Sequence, residues 1–92
     1  MLTVTEYTLK PHLSKAEVSR LMDEFGKRGA VEGEIANYLR VDGTGGYTIS
    51  ESDDMKSAYE TALAYSEYMS VTVTPVLDIN DAVGSIAAYL GS

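Results

Sequence analysis

Between Glu34 and Ser50 the chain reads Glu-Ile-Ala-Asn-Tyr-Leu-Arg-Val, then Asp-Gly-Thr-Gly-Gly, then Tyr-Thr-Ile-Ser. Three glycines at positions 43, 45 and 46 stand between two β-prone stretches, and glycine is what a tight reversal needs wherever φ is positive. A P-loop closes on Gly-Lys-Ser/Thr and a dinucleotide loop opens a helix. This run carries no lysine and leads into a strand. It predicts a hairpin, and an antiparallel pair at the middle of a chain only 92 residues long restricts the fold to one small sheet with whatever flanks it.

The flanks are legible. Leu2 to Leu9 is rich in Thr, Val and Tyr and reads as a strand. After Pro11, Ser14 and Glu17 make a capping box, with Leu13 placed to staple onto Val18. Val18, Leu21, Met22 and Phe25 follow at i, i+3, i+4 and i+7, so a helix is expected up to Gly26 or Gly29. Glu34 to Val41 reads as the second strand, with Ile35, Leu39 and Val41 on one face, Ala36, Tyr38 and Arg40 on the other, and Asn37 a polar exception among the apolar set. Ser52, Asp53 and Asp54 offer alternative N-caps to a second helix, whose stripe runs through Met55, Ala58, Tyr59 and Ala62 to Tyr65, Ser66 and Met69. Val71 to Leu77 is a β-branched fourth strand, and Pro75 points to a sheet edge because proline cannot donate to a ladder. Ile79, Ala82, Val83, Ile86, Ala87 and Leu90 predict a C-terminal helix over about 79–90, capped by Asn80 and weakened by Gly84.

The resulting order is β-α-β-β-α-β plus one helix, an α+β, ferredoxin-like arrangement in a single domain over residues 1–92. Its strands carry bulk on both faces, so a sheet face left bare by the helices predicts a homodimer packed sheet to sheet, a dimeric α/β barrel. Tyr7, Leu9, Tyr38 and Val76 are the interface candidates.

The stretch from Asp42 to Val76, with the glycine hairpin, Glu-Ser-Asp-Asp leading into Ala-Leu-Ala-Tyr-Ser-Glu-Tyr, then Ser-Val-Thr-Val-Thr-Pro-Val-Leu, resembles an uncharacterised bacterial and phage family of small dimeric α/β-barrel proteins. Where that family's second helix bears tryptophans, this chain has Tyr59 and Tyr65. The resemblance implies the fold and the dimer, and no activity. The wider superfamily includes small monooxygenases, isomerases and cyclases, but a shared fold does not transfer a function.

Charge and composition narrow the function classes. Seven Lys and Arg stand against fourteen Asp and Glu, a formal net charge of −7. Such a surface repels phosphate backbones, so no nucleic-acid partner is expected. The absence of cysteine removes disulfides, thiolate nucleophiles and cysteine-rich zinc sites and suits a reducing compartment. No apolar run approaches a membrane span, so no membrane partner is expected and a cytoplasmic location is.

The chemistry-bearing residues are few. His12 is the only histidine and the only group that ordinarily titrates near neutrality. With Tyr7, Tyr38, Tyr47 and Arg40 it could line a pocket, His12 accepting a proton and Tyr7 or Arg40 stabilising an oxyanion; the preferred reading is an exposed loop histidine and tyrosines packed in an interface or core. A lone histidine without cysteine gives no metal site, and no cofactor is expected. The acids Glu32, Glu34, Glu51, Asp53 and Asp54 read as helix-dipole partners on a solvated surface. The expectation is a non-enzymatic homodimeric binding or protein-interaction module, extending to a host-directed phage effector. The alternative is a small cofactor-independent oxygenase or isomerase acting on an aromatic or enolisable substrate, and a concave apolar cavity under the helices would favour it.

Overall fold

The computed structural model describes residues 1–30 and 33–92. Seven elements follow in order: β1 (Leu2–Leu9), α1 (Lys15–Arg28), β2 (Glu34–Leu39), β3 (Gly45–Glu51), α2 (Met55–Tyr65), β4 (Met69–Val76) and α3 (Ile79–Gly91). The strands form one antiparallel sheet in the order β2-β3-β1-β4. Pro75 lies on β4, which is an edge strand as its chemistry requires.

The hairpin between β2 and β3 closes on its own side chains. The Asp42 carboxylate accepts from the Thr44 amide at 3.0 Å and from its hydroxyl at 2.7 Å, and Gly43 takes φ 77°, a conformation glycine adopts without steric cost. The Arg40 and Gly43 amides complete the turn by bonding the carbonyls of Gly45 and Arg40. At the start of α1 the capping box is formed on both sides: the Glu17 amide donates to Ser14 Oγ at 3.1 Å, and the Ser14 amide donates to Glu17 Oε1 at 3.2 Å. The backbone amide of Ser14 and the Lys10 ammonium together hold the Glu17 carboxyl below its usual range. The helix ends at Gly29, with φ 69°, and passes through Gly26.

Several boundaries differ from the expectation. A bulge between Glu34 and Ala36 makes Ile35 an extra residue on β2, so the simple alternation of Ile35 with Leu39 is broken. Arg40 and Val41 fall in the turn rather than the strand. Met69 is the first residue of β4 and pairs with Leu9; it does not continue the α2 stripe. Of the three caps expected for α2, Asp54 is the one used, accepting from the Ser57 amide at 2.9 Å. Asp78, not Asn80, caps α3, because its carboxylate reaches the Asn80 amide at 2.8 Å. Glu32 lies outside the described residues.

Helices α1 and α2 lie over one face of the sheet and meet it at one end only. There Leu21, Tyr65, Tyr68 and Met69 are buried together, with Tyr7, Leu9, Phe25 and Val71 packed against them. The Phe25 and Tyr65 rings join the two helices at a centroid separation of 5.0 Å, and the Arg28 guanidinium covers Tyr65. Toward the other end, over Thr3, Ser50 and Met55, the helix layer lifts away from the sheet; on α1 itself Val18 and Met22 are exposed on either side of the buried Leu21. Helix α3 has no buried residue. With it the molecule measures 58 × 27 × 18 Å and has a radius of gyration of 16.4 Å, against about 12 Å for a compact chain of this length.

Candidate functional site: a hydroxyl-floored cleft

The lifted helices leave a cleft of about 940 Å³ between themselves and the sheet, within the size range of small-molecule sites. Strand registry sets its floor. Thr3 stands opposite Ser50, Thr5 opposite Thr48, and Tyr7 opposite Gly46, while Asn37 and Glu34 of β2 continue the first two rows beyond Thr48 and Ser50. Val73 and Val71 of β4 complete the rows on the far side of Thr5 and Tyr7. The floor is thus polar on three strands and apolar on the fourth. Met22 and Phe25 from α1, and Met55, Ala58 and Ala62 from α2, form the roof.

A sheet face turned toward helices is ordinarily apolar, since a buried hydroxyl without a partner loses its hydration for nothing. Here Thr3, Thr48 and Ser50 are each less than a tenth exposed. Thr3 and Ser50 satisfy one another across the strands at 3.1 Å. The hydroxyls of Thr5, Thr48, Tyr7, Thr61 and Tyr65 also line the cleft, and among the described residues no protein group bonds them. Burial raises the Tyr7 phenol above its usual range, opposed by the Arg40 charge and reinforced by that of Glu34. It raises the Tyr65 phenol in the same way. Both therefore remain neutral donors at physiological pH.

The ionisable groups of the lining are already engaged. Arg28 is paired with Glu24 at 3.1 Å, Asp54 caps α2, and Glu34 accepts from the Asn37 amide at 3.4 Å. Among the described lining residues, what remains free is neutral: hydroxyl donors and acceptors below, sulfur and hydrocarbon above. Gly46 has a structural role here. A Cβ at this position would meet the Tyr38 carbonyl and come within 2.7 Å of Tyr7 Oη, so glycine is what lets the Tyr7 ring lie across β3.

The three residues singled out for catalysis are not brought together. Tyr7 faces the cleft. His12 sits in the exposed turn after Pro11 with φ 60°, outside the lining. Arg40 lies on the opposite face of the sheet, its guanidinium over the Tyr47 ring at 5.2 Å. It donates to Glu6, Thr8, Thr44 and the Tyr7 carbonyl at 3.0 to 3.2 Å, and so clamps the hairpin to β1. The interface candidates also divide: Tyr7 and Leu9 pack under the helices, while Tyr38 and Val76 are on the uncovered face. That face holds Leu2, Val4, Tyr47 and Ile49 beside them by registry.

The floor residues Thr3, Thr5, Thr48 and Ser50 were the ones sequence reading passed over, because threonine is also a good strand former. The available signal was hydroxyl residues at i and i+2 on two strands, all on the side facing the helices.

A family model described as a domain of unknown function, DUF3303, matches residues 1–90. The chain belongs to that family. No curated protein matches it. The DUF3303 domain takes in all four strands, α1, α2 and nearly all of α3, so both walls of the cleft belong to it. Among the described residues no helix is long and apolar enough to cross a membrane.

Proposed function

We propose that this protein is a ferredoxin-like homodimer that binds a small, uncharged, predominantly apolar molecule in the cleft, one bearing carbonyl or hydroxyl oxygens along one side. The observation that carries this reading is the row of hydroxyls on the helix-facing side of the sheet, under an apolar roof and without protein partners among the described residues. A ligand lying flat between the layers would bring its hydrocarbon against Met22, Phe25 and Met55 and its oxygens to Thr5, Thr48 and Tyr7. Methionine suits such a roof because its unbranched thioether adapts to shape. The strand order β2-β3-β1-β4 supports the ferredoxin-like assignment, and the exposed Tyr38, Tyr47 and Val76 on the uncovered sheet face support the dimer.

Binding without turnover is the better reading because no imidazole, thiol or free ammonium lines the cleft among the described residues and the candidate His12, Tyr7 and Arg40 point to three different places. The test is a panel of neutral aromatic ketones, quinones and phenols screened by thermal shift and titration calorimetry. Compounds of this class are expected to bind with negative heat-capacity change. Thr48→Val, which keeps shape and removes one hydroxyl, is expected to weaken the best binder about 2- to 12-fold, the worth of one hydrogen bond, while leaving the fold intact. Ala62→Phe is expected to abolish binding by filling the cleft. Ligands that bind both variants as well as the parent would place the site elsewhere.

A further inference from the structure

Helix α3 carries an apolar stripe and touches almost nothing among the described residues. Ile79, Val83, Ile86 and Leu90 recur at helical spacing and all are about half exposed or more. Its acids, Asp78 and Asp81, are confined to the first turn and the cap, where they suit the helix dipole. Gly84 has no atom within 4 Å that a Cβ would meet. The link from β4 is two residues, Leu77 and Asp78, and the molecule is elongated to 58 Å along one axis. An isolated helix of 13 residues is marginal in water and draws its stability from packing of its apolar face. Something must cover this one.

We infer that α3 is an exchange arm whose stripe packs on a second copy of this chain, each subunit giving one arm and receiving one. The inference rests on the homodimer reading above and adds to it a defined element. Area favours this occupant. Four strands about 4.8 Å apart and some seven residues long offer a face of roughly 450 Å², well short of the ~800 Å² per partner that stable complexes bury. A helix of this length is about 20 Å long, so a stripe about 10 Å wide contributes roughly 200 Å². One arm given and one received thus bring each subunit to about the required area. Sequence continuity points the same way: Val76, on the uncovered sheet face by its pairing with Leu2, is followed directly by exposed Leu77 and Ile79. The apolar surface passes from the sheet to the arm without a polar break other than the cap. A reciprocal exchange of this kind closes under two-fold symmetry and leaves no stripe unpaired.

The test uses the full chain. Because it contains no cysteine, Tyr89→Cys gives a unique attachment point for a photoreactive benzophenone at the edge of the stripe. Isotopically light and heavy subunits are mixed, equilibrated and irradiated, and cross-linked peptides are weighed. Separately, Val83→Ser/Ile86→Ser is compared with the parent by sedimentation equilibrium; α3 is unpacked in its own subunit, so the body is expected to keep its circular dichroism. The inference expects cross-links of mixed mass from arm to body, and a dimer dissociation constant at least ~10-fold larger in the double variant, or about 1.4 kcal/mol. A dimer whose cross-links all lie within one chain overturns the arm while leaving the dimer standing. So does a dimer in which α3 cross-links to neither copy, which would mark the stripe for a different partner. A monomer in the parent protein overturns both readings.

Discussion

At the scale of the single residue, Asp42 shows how a turn can make its own pH dependence. Its carboxylate takes the hydroxyl and the amide of Thr44, and these bonds, with the nearby Arg40 charge, hold its pKa below the ordinary carboxylate value of 3.8. In the unfolded chain nothing does so. A carboxyl depressed by folding stabilises the native state fully above its unfolded pKa and loses that contribution as pH falls through the folded one. The β2–β3 hairpin is therefore expected to be indifferent to pH from neutrality down to about 5 and to loosen below about 3.9. The Thr44 amide, followed by NMR from pH 6 downward, is expected to titrate with a midpoint below 3.8. Asp42→Asn keeps an acceptor oxygen and is expected to abolish that titration. A midpoint at or above the ordinary value would mean that the carboxylate does not hold the turn in solution. The sequence announced this turn through its glycines, and position 42 through the propensity of Asp to bond its own backbone two residues on. The place of Thr5 and Thr48 on the cleft floor was hidden, because a hydroxyl on a strand carries the same one-letter code whether it faces water or a cleft.

Among the elements, those whose signals are local were the most readable. The capping box at Ser14 and Glu17 is a matter of four residues, and it forms as written. It also makes a prediction. Ser14→Ala removes the oxygen that accepts the Glu17 amide and is expected to cost about 0.5–2 kcal/mol of stability. Ser14→Asn is expected to cost much less, because it restores an acceptor. Urea unfolding monitored by circular dichroism measures both, and equal losses would show that the cap is not what starts α1. Elements set by distant partners were less readable. The bulge at Ile35 arises from β2 pairing with β3, and Met69 joined β4 because Leu9 is opposite it; neither fact has a local cause. Nor did the stripes on α1 reveal how far the helix would stand from the sheet. Val18 and Met22 have the right spacing for a core, yet they stay exposed on either side of the buried Leu21.

At the scale of the whole molecule, charge and shape act in opposite directions on assembly. Each chain carries a formal −7, so two copies repel before their apolar surfaces meet. On the uncovered sheet face the Arg40 guanidinium is satisfied within its own subunit by Glu6 at 3.1 Å, and the stripe of α3 has no charged member. An interface built from these surfaces gains no intermolecular ion pair to offset the repulsion. Salt then has a definite sign. Raising ionic strength shortens the screening length from about 30 Å at 0.01 M to about 8 Å at 0.15 M, which weakens the repulsion between subunits and leaves burial of Val4, Ile49, Ile86 and Leu90 untouched. Dimerisation is expected to tighten with added sodium chloride over that range, and to tighten again as pH is lowered from 7 toward 5, where the net charge shrinks. Sedimentation equilibrium at several salt concentrations measures this directly. A dissociation constant that rises with salt would require ion pairs across the interface and would move it from the apolar sheet face to the acidic exterior.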